Sequence, residues 1–305
     1  MRRHCAISLL VCALVLGLSA PRVVHAQTIT PRASLQLAIA ELSALMARTG
    51  LAAAFSTVVD SQVVLVWDDA PIVRGKLASA RLLLAQKEFA LLQIEMTPEL
   101  VDVSDDGQFG VSWGVLFSRD QRVPTAPLRV GRYLSAWKRN AGAWKLLAFA
   151  PLGDVFPMAT VLPAAIPSIP FGIELRGAVF AHADSMFSAM AGKQGAPTAF
   201  AAFAAPDVIT FPIDGIAIGP LNVKTRMEAS GAGRLQWEWK PMVADGAADG
   251  SLGFTVGDAI IRGKTSDRSA SITYAKYLTL WRKQSDGSVR FLTDGGNGRP
   301  VPVSR

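Results

Sequence analysis

Gly110-Val-Ser112-Trp-Gly114 has the spacing of a nucleophilic serine on a sharp turn, and Asp154 and His182 follow it in an order a hydrolase triad can take. That chemistry needs the serine between a strand and a helix. Here it lies inside an apolar run continuing through Val115-Leu116-Phe117, and Gly253-Phe-Thr255-Val-Gly257 repeats the spacing with threonine. Strand geometry accounts for both sets of glycines, so hydrolysis is not expected. His4 and His25 lie in the first 26 residues, leaving His182 without a histidine partner; in a helical pattern it reads as a packed or capping side chain. The pairs Asp68-Asp69 and Asp105-Asp106 fall at turns, where aspartate is common. No metal site and no cofactor are expected.

Asp294 is the one candidate for catalysis. It closes the apolar run Phe291-Leu-Thr-Asp294 ahead of Gly295-Gly296. A carboxyl at the mouth of an apolar chamber has a raised pKa and can act as a base or a ligand anchor; the simpler account is a turn residue before glycine. Trp237, Trp239, Tyr277 and Trp281 complete the expected ligand-binding set with Asp294. Gln93 and Glu95, like Gln236 and Glu238, alternate with apolar neighbours, which gives either a solvated strand face or a polar wall.

Residues 1–26 have the layout of a secretory leader: Arg2 and Arg3, an apolar run from Ala6 to Leu18, and Val24-His-Ala26 as a small-residue cleavage site. Cys5 and Cys12 both fall there, so the remaining chain has no disulfide, thiol nucleophile or thiolate metal site. Arg2, Arg3 and Arg22 also leave, which reduces the formal +7 to +4. The remaining basic residues are scattered, so nucleic acid is not an expected partner. The expected address is the periplasm or the exterior, with no membrane span once the leader is cleaved.

The elements that must position these residues come in two copies. Leu92-Gln-Ile-Glu-Met-Thr-Pro98 returns as Leu235-Gln-Trp-Glu-Trp-Lys-Pro241, and Asp106-Gly107-x-x-Gly110-x-x-x-Gly114 as Asp249-Gly250-x-x-Gly253-x-x-x-Gly257. Tyr133-Leu-Ser-Ala-Trp137 recurs as Tyr277-Leu-Thr-Leu-Trp281, and Trp67…Gly75 as Phe211…Gly219. Four anchors in one order point to a duplicated domain. The expected division is a leader at 1–26, repeat one at 27–150, a proline-rich linker at 151–170, repeat two at 171–298 and a tail at 299–305. Each repeat reads as two helices, a strand, a third helix (weaker in the second copy) and an antiparallel meander. The strand Tyr277–Trp281 is apolar on both faces and needs cover on both sides of its sheet. Helices can cover one side and the other repeat the opposite one.

This order, ending in a Tyr-x-x-x-Trp strand, resembles the nuclear transport factor 2-like superfamily, whose α+β fold ketosteroid isomerase shares. The second repeat, with Trp239-x-Pro241, Gly250-x-x-Gly253-Phe-Thr-x-Gly257 and Tyr277-Leu-Thr-Leu-Trp281-Arg-Lys, looks like secreted bacterial SnoaL-like branches. The resemblance implies two tandem cone-shaped domains, each with helices on a curved antiparallel sheet, docked as an intrachain pseudo-dimer. It does not carry an activity across. The isomerase phenol belongs to a first helix, and neither first helix here has tyrosine. The dehydratase His–Asp pair is not matched by a chain left with His182 alone, and Ala150 stands where repeat two has Asp294.

The expected function is non-catalytic binding of a small apolar or amphipathic molecule in the cone of repeat two. The alternatives are an isomerase- or lyase-type enzyme using an aspartate base, and a structural or assembly domain with a filled cone.

Overall fold

The computed structural model describes residues 29–299, except 124, 157–161, 164–165, 167, 213–214 and 265–268. The leader expected at 1–26 lies outside the described residues, and of the tail at 299–305 only Arg299 is described. Among the described residues no helix is long and apolar enough to cross a membrane.

The first unit comprises α1 (Pro31–Thr49), α2 (Leu51–Val58), β1 (Val59–Leu65), β2 (Val73–Arg74), α3 (Lys76–Ala85), β3 (Leu92–Val103), β4 (Phe109–Asp120), β5 (Arg129–Asn140) and β6 (Ala143–Leu152). The second repeats the order: α4 (Ala178–Gln194), α5 (Ala196–Phe203), β7 (Ile209–Thr210), β8 (Ala217–Ile218), α6 (Pro220–Ala229), β9 (Gln236–Gly246), β10 (Leu252–Lys264), β11 (Ala270–Lys283) and β12 (Val289–Gly298). In α1, Leu35, Ile39, Leu42 and Met46 recur at helical spacing and are buried; Phe180, Ala183, Phe187 and Ala191 do the same in α4. Gly50 and Gly195, at φ 80° and 85°, turn the chain between the paired helices.

Several elements differ from the sequence reading. Residues 92–103 form a single strand, β3, kinked by a bulge between Pro98 and Leu100. The second copy bulges between Pro241 and Val243. Gly114 and Gly257 lie opposite these bulges, where a Cβ would strike the carbonyls of Thr97 and Lys240. Helix α6 is as long as α3. β12 does not stop at Asp294 but runs on to Gly298.

Each meander is antiparallel, yet the first sheet is mixed, in order β2-β1-β6-β5-β4-β3, because β1 runs parallel to β6. The second sheet has only β12-β11-β10-β9, and β7 with β8 forms a separate ribbon. β7 is two residues long, lies between Pro206 and Pro212, and cannot extend a ladder as β1 does. The lining of the second cone is therefore less complete.

Three cores result. The helices and inner sheet face of each unit enclose one core apiece. The third lies between the two sheets, where Phe109, Val111, Leu134 and Ala136 meet Leu252, Phe254, Leu278 and Leu280. Phe109 stacks on Phe254 with ring centroids 6.5 Å apart. At the edge of this layer the backbone N–H of Asp106 donates to the Asp249 carboxylate at 2.7 Å, so matching turns of the two units touch. Tyr277 and Trp281 face the helices while Leu278 and Leu280 face the first unit, the division expected of a strand covered on both sides.

The segment expected as a linker begins inside β6, and beyond that strand it packs onto the first unit. Val155 is fully buried, Phe156 lies against Trp67 and Phe89, and Ser168, Pro170 and Glu174 are bonded to Arg74.

Candidate functional site

The two cones diverge at their centres. In the first, Phe149 stacks beside Tyr133, meets Phe55 edge-on and lies near Trp67, with Phe156 closing over Trp67. Side chains fill that space. In the second, strand pairing sets Asp294 opposite Thr279 as Phe149 is set opposite Ser135. The residue matching Asp294 is therefore Phe149, not Ala150; the bulges after Leu280 and Ala136 shift both ladders by one position.

A cavity of about 440 Å³ opens in the second cone. Phe200, Val223 and Met227 line it from the helices, Phe211 and Pro212 from the loop after β7, and Trp237, Ile261, Tyr277 and Asp294 from the sheet. Of the expected residues, Trp237, Tyr277 and Asp294 line this cavity. Trp239 stands behind it, part-buried against Phe187 at 4.7 Å. Trp281 is fully buried and does not reach the cavity; its indole N–H donates to Thr255 at 2.9 Å.

The sequence reading missed Asp184. This residue lies on the apolar face of α4, one turn from Phe180 and from Phe187, and is fully buried. Tyr277 Oη donates to its Oδ2 at 2.8 Å and Trp239 Nε1 to its Oδ1 at 2.7 Å, while Thr255 adds a third hydrogen bond. Burial still raises its pKa to about 6. The signal was available: an aspartate within a helical apolar stripe is a buried charge that must find partners. At the equivalent place in α1 stands Ile39, and Tyr133 there shares a neutral hydrogen bond with Ser112 at 3.1 Å.

Asp294 accepts from Thr279 Oγ1 at 2.5 Å. Burial pushes its pKa up to about 7, and the charge of Asp184 adds to the rise. Tyr277 is held well above the usual phenol range by burial and then by the same carboxylates. The second cone thus carries two coupled carboxyls and a phenol whose proton points at one of them.

The other candidates settle elsewhere. Ser112 is fully buried within β4, and His182 and Asp154 are exposed, so no triad forms. Gln93, Glu95, Gln236 and Glu238 are exposed on a solvated face. Among the described residues no three His, Cys, Asp or Glu gather closely enough to hold a metal ion. A wider groove of about 730 Å³ crosses the outer face of the second sheet. Four of its charged residues pair with one another, Arg262 with Glu238 at 2.9 Å and Arg299 with Asp258.

No protein-family model matches the chain, and no curated protein does. Among solved structures, a nuclear transport factor 2-like superfamily protein from Salmonella enterica is 12% identical, with 40% of this chain and 89% of that one covered at a TM-score of 0.34. A ketosteroid isomerase-like protein from Erwinia carotovora is 13% identical, covering 42% and 99% at 0.35. A cystatin-like-fold protein from Nostoc punctiforme is 14% identical, covering 40% and 90% at 0.33.

Proposed function

We propose that the second unit binds a small apolar or amphipathic molecule in its cone, with Asp294 as the polar anchor, and that the first unit is a scaffold. The observation that carries this is the contrast at one register position: Phe149 fills the first cone, whereas Asp294 faces a chamber walled by Phe200, Phe211 and Trp237. An apolar cavity with one orienting polar group is the common form of a small-molecule site. A general-base role for Asp294 draws on its pKa of about 7. That chemistry also needs a proton donor across the cavity, and Tyr277 commits its proton to Asp184. Binding therefore fits better than turnover. We place this protein in the periplasm or outside the cell, on the strength of the leader-like pattern of residues 1–26, and as a monomer, because its own two sheets cover one another.

A neutral apolar dye such as Nile red tests the cavity. The native chain is expected to bind it with enhanced emission, and Asp294→Phe, which installs the first unit's residue, to abolish that signal while the protein stays folded. Equal binding by that variant overturns the reading.

A further inference from the structure

Among the described residues, the second cone holds two carboxyls and no ion pair to either. Asp184 has its oxygens occupied by Trp239, Tyr277 and Thr255. Asp294 lines the cavity and receives only Thr279, on Oδ2; its Oδ1 has no hydrogen-bond partner among the described residues. Lys276 and Arg226 also contribute to the wall. The Lys276 ammonium donates to Gly298 O at 2.6 Å and lies in the field of Asp68 and Asp69 from the first unit.

We propose that this cone selects a cationic amphiphile, an apolar body ending in an ammonium group, with the ammonium seated on Asp294 Oδ1. The proposal rests on the binding reading above and names the chemical class of its ligand. An anionic head group at this point meets two carboxyls at close range. A neutral head group can satisfy Oδ1 but leaves the repulsion between Asp184 and Asp294 in place whenever both ionise. An ammonium removes that repulsion and adds a charge-assisted hydrogen bond at Asp294 Oδ1, beside a largely apolar wall. The rings of Phe200, Phe211 and Trp237 give the rest of a cationic molecule surfaces that favour positive charge.

Three molecules of one shape separate the possibilities: phenylbutylamine, phenylbutanol and phenylbutyrate, each used to displace Nile red from the full chain at pH 7. The amine is expected to bind at least about tenfold more tightly than the alcohol, and the carboxylate more weakly than both. Asp294→Asn should cost the amine about tenfold and the alcohol much less. Calorimetry in buffers of different ionisation heat gives a readout on the native chain. With Asp294 about half protonated at pH 7, amine binding should release a fraction of a proton and alcohol binding none. An alcohol that binds as well as the amine, or amine binding without proton release, overturns the inference while leaving the cavity intact. Nile red binding that survives Asp294→Phe overturns the cavity itself.

Discussion

Tyr277 donates its hydroxyl proton to Asp184 across 2.8 Å, tying β11 to α4 at the base of the second cone. In the first unit the matching phenol, Tyr133, has only the neutral Ser112 hydroxyl at 3.1 Å. One fold thus contains a charge-assisted and a neutral version of the same bond. Hydrogen bonds to charged groups contribute about 1.5–3 kcal/mol and neutral ones about 1 kcal/mol. Tyr277→Phe should therefore cost more stability than Tyr133→Phe in urea unfolding at pH 8, and the difference should shrink near pH 4, where Asp184 is protonated. Equal losses at both pH values would show that Asp184 is not the charged acceptor.

The carboxyls also set the pH dependence of folding. Asp184 and Asp294 titrate at about 6 and about 7 in the folded chain, above their usual 3.8. Between these values the folded state holds more protons than the unfolded one, so stability falls as pH rises. Their contribution is full below about pH 4, where both states are protonated, and is lost as pH climbs through 6 and 7. Asp294→Asn cannot ionise and should flatten the upper part of this slope, gaining more than about 1 kcal/mol over the native chain at pH 8. A native chain equally stable at pH 5 and pH 8 contradicts this account.

Truncation should separate the filled cone from the open one. Phe149 is 1% exposed and touches three aromatic rings. Phe149→Ala leaves a hole in a closed core and is expected to cost about 3–5 kcal/mol without altering dye binding in the other unit. Trp237 is only part-buried and borders an existing cavity, so Trp237→Ala should cost less stability and weaken Nile red binding instead. Comparable stability losses, or dye binding that responds to Phe149 alone, would put the ligand in the wrong half.

How far the sequence could be read depends on where each residue's signal comes from. The helices and the two-sided strand at Tyr277–Trp281 were legible because burial imposes a period on neighbours along the chain. Asp294 could be singled out, but its setting could not. Gly295-Gly296 suggest a turn, whereas cross-strand pairing carries β12 past them, and that pairing depends on β11. The same dependence hid Phe149: a bulge moves the register by one residue and leaves no mark on the strand that shifts. Asp184 is less conspicuous in the sequence than His182, although its place among Phe180, Ala183 and Phe187 makes it the residue at odds with its surroundings.

The layer between the sheets yields the last prediction. Leu280 is fully buried there beside Leu292, Phe254 and side chains of the first unit, with Leu134 and Ala136 on the facing strand. Neither sheet can expose this face without losing much of its apolar burial, so the two units should unfold together in one transition. Leu280→Asp sets a carboxylate among apolar groups with no partner designed for it, at a cost of at least about 3 kcal/mol. Since the layer is shared, the loss should appear equally in probes of either unit, such as amide hydrogen exchange in β5 and in β11. If the native chain melts in two steps, or if Leu280→Asp lowers only the second unit's transition, each unit is stable alone and the docking of the sheets is not what holds them.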